Sequence, residues 1–387
     1  MIAHFFKLIW NKKRSHALLM VEILASFMVL FGVMSLIVYN FQNYLEPIGF
    51  KYENVWALDL SSNQDTTAIP DKLAAIYQKV RTYPEVETAS RMSNNSPFSM
   101  STSNREYTYE KNSILGDYYS TDEFYSQTLD IPTIEGKWYQ PSDRVAKYMP
   151  VVINKKAKEA LFANISPIGK VLNVDDDSQL KIVGVVENFK AKGEFMENEP
   201  CVFVLPEEKS YNSTILIKVR PGTDANFEAK LTRDIISMTK DWAVEVSYLT
   251  DQRQNQSNLT LVPVIIFLII SAFLLSNVVL GLFGIMNLNI ARRRDEIGVR
   301  RAMGATSGNI KTQFVGEMWV IATFGIIIGL IFAIQFPIMN VFDVASGVYL
   351  MAILVSIAII YLLVTICAYY PSRQAAKIRP AMALRED

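Results

Sequence analysis

The chain has 387 residues, half of them apolar, with 38 basic and 38 acidic side chains that cancel to a formal charge of zero. Its two histidines, His4 and His16, both sit in or beside the basic N-terminus, which excludes a histidine triad or a histidine-ligated zinc site in the rest of the chain. No G-x-x-x-x-G-K-[ST] occurs, so the chain supplies no P-loop for a nucleotide, and nothing marks a nucleic-acid partner.

The apolar residues are unevenly spread. Four windows reach the length of about 20 residues that a helix needs to cross hydrocarbon: 17–38, 259–290, 313–337 and 348–370. The first follows a basic start, as a signal peptide would, but its core exceeds a typical h-region and no A-x-A-like site ends it, so it reads as an uncleaved anchor. The segments flanking the spans carry Lys7, Lys12, Lys13 and Arg14, then Arg292, Arg293, Arg294, Arg300, Arg301 and Lys311, then Arg373, Lys377, Arg379 and Arg385. Only four acidic residues oppose these fourteen, and the loop 338–347 has Asp343 with no Lys or Arg. The positive-inside rule therefore places both termini and the Arg292 loop in the cytoplasm, and faces 46–253, with 24 basic and 31 acidic residues, outward.

That outer segment reads as mixed α and β. Short β-rich runs at 55–60, 150–153, 179–186, 201–205, 214–219 and 244–249 predict strands. Helices are expected at 71–82, at 155–162 behind an N-cap at Asn154, and at 226–239. Residues 90–104, rich in Ser, Asn and Met, read as a long loop. Asp175, Asp176 and Asp177 lie between two strand-like runs. Their spacing matches no calcium loop, so a hairpin turn is the favoured reading over a calcium ligand set. Cys201 lies in the outer segment and Cys367 in the fourth span, which excludes a disulfide between them under this topology.

No charge interrupts residues 254–291, about 57 Å of helix at 1.5 Å per residue, so the second span is expected to begin outside the hydrocarbon as a stalk. A matching stalk follows the first span through Phe41, Tyr44 and Leu45. In the loop, Glu296 and Arg300 stand at i and i+4, the favourable order for a helical ion pair, and Gly304 supplies a stop. Composition alone leaves two readings open: arginines that hold the loop against anionic lipid, or a surface helix that docks on a protein. Glu22 and Glu317 fall one or two turns inside their spans, where a carboxylate needs a basic partner, another helix or a route to the interface. Gly325 and Gly329 form a G-x-x-x-G that permits close helix approach.

The stretch GLFGIMNLNIARRRDEIGVRRAMGAT (281–306) resembles the signature of FtsX-like permeases, the membrane subunits of MacB-type ABC transporters. PSRQAAKIRPAMALRED from Pro371 is similar to their tail, and ISPIGKVLNV with KIVGVVENFK resembles their periplasmic core domain. The resemblance implies a fold class of four transmembrane helices with a mixed α/β extracytoplasmic domain inserted between helices 1 and 2. In these terms the chain divides into a cytoplasmic N-terminus (1–16), helix 1 with its stalk (17–45), the periplasmic core domain (46–253) and the stalk with helix 2 (254–290). A cytoplasmic coupling loop (291–311), helix 3 (312–337), a short periplasmic loop (338–347), helix 4 (348–370) and a cytoplasmic tail (371–387) follow. It further implies a homodimer or related heterodimer in the inner membrane, bound to cytoplasmic ATP-binding subunits that hold ATP and magnesium, with a periplasmic adaptor or envelope protein and membrane lipid as further partners. Glu296, Ile297, Gly298, Arg300, Arg301, Met303 and Gly304 would form a coupling helix against the ATPase, with Gly325, Gly329 and Glu317 in helix packing. The chain itself would be no enzyme and hold no cofactor; it would transmit ATP-driven movement outward. The rival readings are a receptor or scaffold with a ligand-binding outer domain, an FtsX-like regulator of cell-wall hydrolases, and a membrane-bound hydrolase.

Overall fold

The computed structural model describes residues 13–163, 165–174, 178–206, 211–239 and 242–376. They fall into two compact units, one drawn from Met1–Gln42 with Leu261–Asp387, the other comprising Asn43–Thr260. The Asp175–Asp177 triple, His4, the side chain of His16 and the tail from Lys377 onward lie outside the described residues.

Helix α1 (Lys13–Leu45) leads into β1 (Val55–Ser61), α2 (Ile69–Val80) and β2 (Val86–Met92). Then come β3 (Asn104–Tyr109), β4 (Asn112–Ser120), β5 (Thr133–Gly136), β6 (Met149–Asn154), α3 (Lys155–Phe162), β7 (Val171–Val174), β8 (Ser178–Val186) and β9 (Cys201–Val204). The outer unit's remaining elements are β10 (Thr214–Val219), α4 (Ala225–Met238) and β11 (Ala243–Tyr248). Helix α5 (Leu249–Arg292) follows β11 without a linker, and α6 (Arg294–Ala302), α7 (Ser307–Ala333) and α8 (Ser346–Ala375) complete the chain.

The outer unit has two sheets. One is antiparallel, in the order β11-β1-β10-β2. Alternation along β1 sends Trp56, Leu58 and Leu60 into a core with α2 and α4, while Val55 and Ala57 face the core shared with the second sheet. The second sheet runs β5-β8-β6-β9-β4-β3-β7, and β7 also pairs with β8, so six of its strands close a ring. Asn154 is fully buried where β6 turns into α3: its Oδ1 accepts from the Ala157 and Cys201 amides at 3.0 and 3.1 Å, and its Nδ2 donates to the Glu199 carbonyl at 2.7 Å.

Several elements differ from the sequence expectation. The loop read over 90–104 is shorter at both ends, because Ser90, Arg91 and Met92 finish β2 and Asn104 opens β3. Ser90 and Arg91 are polar yet buried: the Asp122 carboxylate accepts from the Ser90 hydroxyl at 2.6 Å and from the Arg91 backbone N–H at 2.9 Å, which satisfies both of those groups. The strand read over 244–249 ends at Tyr248, and the helix begins at Leu249 rather than at 254. Helix α8 runs through Pro371 to Ala375, five residues beyond the expected end at 370.

Among the described residues, four helices are long and apolar enough to cross a membrane: α1, α5, α7 and α8. Leu19, Ile23 and Phe27 form one fully buried stripe of α1 at a spacing of four residues. Trp319 Nε1 donates to Thr365 Oγ1 at 2.8 Å, and the Thr323 and Tyr361 hydroxyls meet at 2.8 Å, so α7 and α8 exchange hydrogen bonds as well as apolar contacts.

Candidate functional site: the arginine loop and the outer helix anchor

The segment 291–311 folds by local rules. Arg293 leaves helical geometry and breaks α5 from α6. Helix α6 stops in a Schellman motif, in which Ala305 N–H donates to the Arg300 carbonyl at 3.0 Å and Gly304 N–H to that of Arg301 at 3.2 Å. Gly304 sits at φ +95°, a conformation that favours glycine. Thr306 then caps α7 by accepting from the Asn309 amide at 3.2 Å. Only four residues, Met303 to Thr306, therefore separate two helices.

Charged side chains close a ring across this turn. Arg293 Nη1 donates to both Glu317 oxygens at 2.9 Å, and its Nε donates to Glu296 Oε2 at 2.8 Å. Arg300 Nη2 meets Glu296 Oε1 at 2.6 Å, the Arg300 Nη1 donates to Gln313 Oε1, and Gln313 Nε2 returns to Glu317 Oε1 at 3.2 Å. Glu317, alone a costly carboxylate in an apolar helix, is thus neutralised by an arginine from the loop. Arg301 points elsewhere, donating to Ser307 Oγ at 3.0 Å, and that hydroxyl donates to the Ala376 carbonyl at 3.3 Å.

The residues singled out in the loop therefore divide. Ile297 and Gly298 are buried, and Glu296, Arg300 and Arg301 are engaged within the chain. Met303, 77% exposed, and Gly304 face outward. Val299, which the sequence reading did not single out, is 43% exposed and lies one turn before Met303. Its i, i+4 spacing to Met303, on the face opposite Ile297, was the available signal. Outward, the ion-paired turn presents Val299 and Met303 beside the exposed Arg292 and Asp295.

The glycine pair lies against α1. A Cβ at Gly325 would come within 2.9 Å of Ile23 Cγ2, and one at Gly329 would overlap the Phe27 ring. Glu22 approaches Gly281 of α5, where a Cβ would lie 2.7 Å from Glu22 Oε2.

A second constellation, unmarked by the sequence reading, lies in the outer unit. The loop after β8 holds Lys190, 1% exposed, whose Nζ donates to the Asn43 carbonyl at 2.6 Å and the Glu194 carbonyl at 2.8 Å. Burial pushes this ammonium's pKa down. Asn43 Nδ2 donates to the Phe195 carbonyl at 3.0 Å, Tyr44 stacks on Phe195, and Arg253 of α5 pairs with Glu194 over the Tyr52 ring. One short loop thus fastens the last residues of α1 and the first turns of α5. The signal was slight: Lys190 closes the KIVGVVENFK run directly after Phe189.

Four spanning helices with an α/β domain inserted after the first define a multi-pass membrane protein of the permease class. Residues 18–234 match the model of the MacB-like periplasmic core domain, and 267–380 match the FtsX-like permease C-terminal model. The chain belongs to the MacB-like, FtsX-like permease family. Among its curated relatives is the macrolide export ATP-binding/permease protein MacB of Neisseria meningitidis serogroup A, 25% identical over 303 residues, covering 74% of this chain and 46% of that protein. The protein of the same name from Haemophilus ducreyi is 27% identical over 273 residues, covering 66% of this chain and 38% of its own length. The chain thus spans less than half the length of these relatives. Among solved structures, the periplasmic region of MacB from Actinobacillus actinomycetemcomitans aligns at 16% identity and a TM-score of 0.39, covering 56% of this chain and 98% of that one.

Proposed function

We propose that the chain is the permease subunit of a MacB-type ABC assembly, in which a separate cytoplasmic subunit holds ATP and magnesium and this chain carries the resulting movement to its outer domain. The reading places both termini and the arginine loop in the cytoplasm, the α/β unit in the periplasm and the chain in the inner membrane, as the distribution of arginine and lysine directs. Its strongest support is the loop: a turn pinned by the Arg293, Glu317, Gln313, Arg300 and Glu296 ring offers Val299 and Met303 to a partner. The same turn is covalently continuous, through the 44 residues of α5, with the last strand of the outer unit. A rigid apolar edge on a structured turn suits docking into a protein groove better than lying on lipid headgroups, where arginines reaching outward would serve. Here Arg293 and Arg301 turn inward and Arg300 is tied to Glu296 and Gln313, which leaves Arg292 as the exposed arginine beside the edge.

The test uses proteoliposomes containing the chain and the ATP-binding subunit retained with it in detergent. Val299→Asp with Met303→Asp changes two exposed positions and leaves the ion ring untouched. The ATPase rate is expected to fall to that of the isolated ATP-binding subunit while the permease still inserts. Full stimulation by the double variant, or no ATP-binding subunit retained at native expression, would overturn the reading.

A further inference from the structure

Beyond the contact of Phe27 with Gly329, on the side away from the arginine loop, α1 borders a groove of about 400 Å³. Met28, Phe31, Gly32, Ser35 and Tyr39 line it from α1; Phe336, Phe342 and Tyr349 line it from the connection between α7 and α8 and from α8 itself. The Phe31 ring lies 5.4 Å from that of Phe336 and 6.2 Å from that of Tyr349, so an aromatic cluster backs the groove. A Cβ at Gly32 would meet nothing within 4 Å, so the missing side chain leaves the space open. Phe342 is 84% exposed at φ +58°, between Asn340 at +46° and Asp343 at +53°. Strain of this kind in a bulky residue collects at ligand clamps, and here the Tyr349 hydroxyl holds the turn by donating to the Val341 carbonyl at 2.7 Å.

Size and polarity select the occupant. Met28 to Tyr39 is eleven residues, about 16 Å along the axis, or half of a hydrocarbon layer about 30 Å thick: one leaflet deep. A helix about 10 Å across would fill roughly 1,200 Å³ over that length, so a slender chain fits and a helix does not. Polar groups in the wall are already used, because Ser35 Oγ donates to the Phe31 carbonyl at 2.8 Å and the Tyr349 hydroxyl to Val341. Hydrocarbon is therefore the matching filling. At the mouth the charge has one sign. Residues 15–42 and 312–372 contain no Lys or Arg, and of their three carboxylates Glu22 and Glu317 lie toward the loop, which leaves Asp343.

We propose that the groove holds one acyl chain of a membrane phospholipid, taken from the leaflet opposite the arginine loop, with an amine-bearing zwitterionic headgroup beside Asp343. The ammonium donates to that carboxylate, which also accepts from Asn340 Nδ2 at 3.2 Å. An anionic headgroup would meet the carboxylate with no cation to offset it. Lipid on an open helix face exchanges freely, whereas this chain lies between α1 and the strained turn and stays when the protein is taken into detergent. The proposal rests on α1 and α8 crossing the membrane and is independent of ATPase coupling.

The full chain is purified in mild detergent and its bound lipid is counted by native mass spectrometry, with phosphatidylethanolamine or phosphatidylglycerol then added back as probes. One phosphatidylethanolamine per chain is expected to stay bound, preferred over phosphatidylglycerol about fivefold. Gly32→Leu fills the groove without a clash and is expected to lose this lipid, together with the rise in melting temperature that added phosphatidylethanolamine gives the unaltered chain. Asp343→Lys is expected to keep a lipid and reverse the preference. Leu354→Phe, at a 63% exposed position of α8, is the control and should change neither. Equal binding of the two lipids by the unaltered chain, undiminished retention in Gly32→Leu, the same loss from Leu354→Phe, or displacement of the phospholipid by a diacylated peptide at equal concentration would each overturn the proposal. None of these results bears on ATPase stimulation, which the Val299 and Met303 variants read.

Discussion

Glu317 offers the sharpest test of the loop's construction. Its carboxylate and the Arg293 guanidinium are 11% and 16% exposed, and Arg293 places one nitrogen 2.9 Å from each Glu317 oxygen. Breaking a fully buried pair costs about 3–5 kcal/mol, whereas an exposed pair is worth about 0–1 kcal/mol. This pair falls between, because Arg293 keeps Glu296 when Glu317 is removed while Gln313 Nε2 loses its acceptor. Glu317→Ala is therefore expected to destabilise the membrane unit by ~2 kcal/mol, and Glu317→Gln, which preserves one acceptor, by about half that. At roughly 2–4 °C per kcal/mol for this size of unit, the alanine variant should melt about 6 °C lower. The measurement is thermal unfolding of the full chain in detergent, followed by circular dichroism, within a cycle that adds Arg293→Met alone and combined. The double variant should be less destabilised than the sum of the singles by about 1–2 kcal/mol, because the uncompensated charge is gone. Strict additivity would show that the two side chains do not sense each other and would remove the ring as the reason the turn is rigid.

Two further outcomes follow from the packing and from the outer unit. Gly329→Leu, whose side chain would collide with the Phe27 ring, should destabilise the full chain by about 1–3 kcal/mol, while Gly281→Ala, facing only the mobile end of Glu22, should change little. Equal melting temperatures for the two would refute close packing of α7 on α1. The Asp65 carboxyl is held down at about 2 by hydrogen bonds from Lys72 and then from Trp242 and the Thr67 amide. A depressed folded pKa gives stability that is full above the ordinary carboxylate value near 4 and is lost as pH falls through about 2. Asp65→Asn should flatten the fall in stability between those pH values, read by urea unfolding at each pH, and an unaltered acid slope would contradict the assignment.

What could be read from the sequence was what periodicity and charge encode over long stretches. The four spans announced themselves because lipid tolerates few alternatives to a charge-free helix, and the arginine loop because its charge stands between two apolar spans and Gly304 is a local stop signal that needs no distant partner. Strand β2 was hidden because Ser90 and Arg91 look like loop residues until the Asp122 carboxylate, 32 and 31 residues later, accepts from the Ser90 hydroxyl and the Arg91 backbone N–H. Lys190 was hidden for a related reason: a buried ammonium makes sense only once the Asn43 carbonyl, 147 residues earlier in the chain, lies beside it. Long-range polar pairing leaves no period in the sequence, and the inward turn of Arg293 and Arg301 is of the same kind.

The fastening around Lys190 bears on how the two helix ends are held within the outer domain. Asn43 and Arg253 are tied to Lys190, Glu194 and Phe195, like two ropes made fast to one cleat. The spacing between the end of α1 and the start of α5 is therefore set inside the outer unit by one loop, through two backbone carbonyls, one amide and one ion pair.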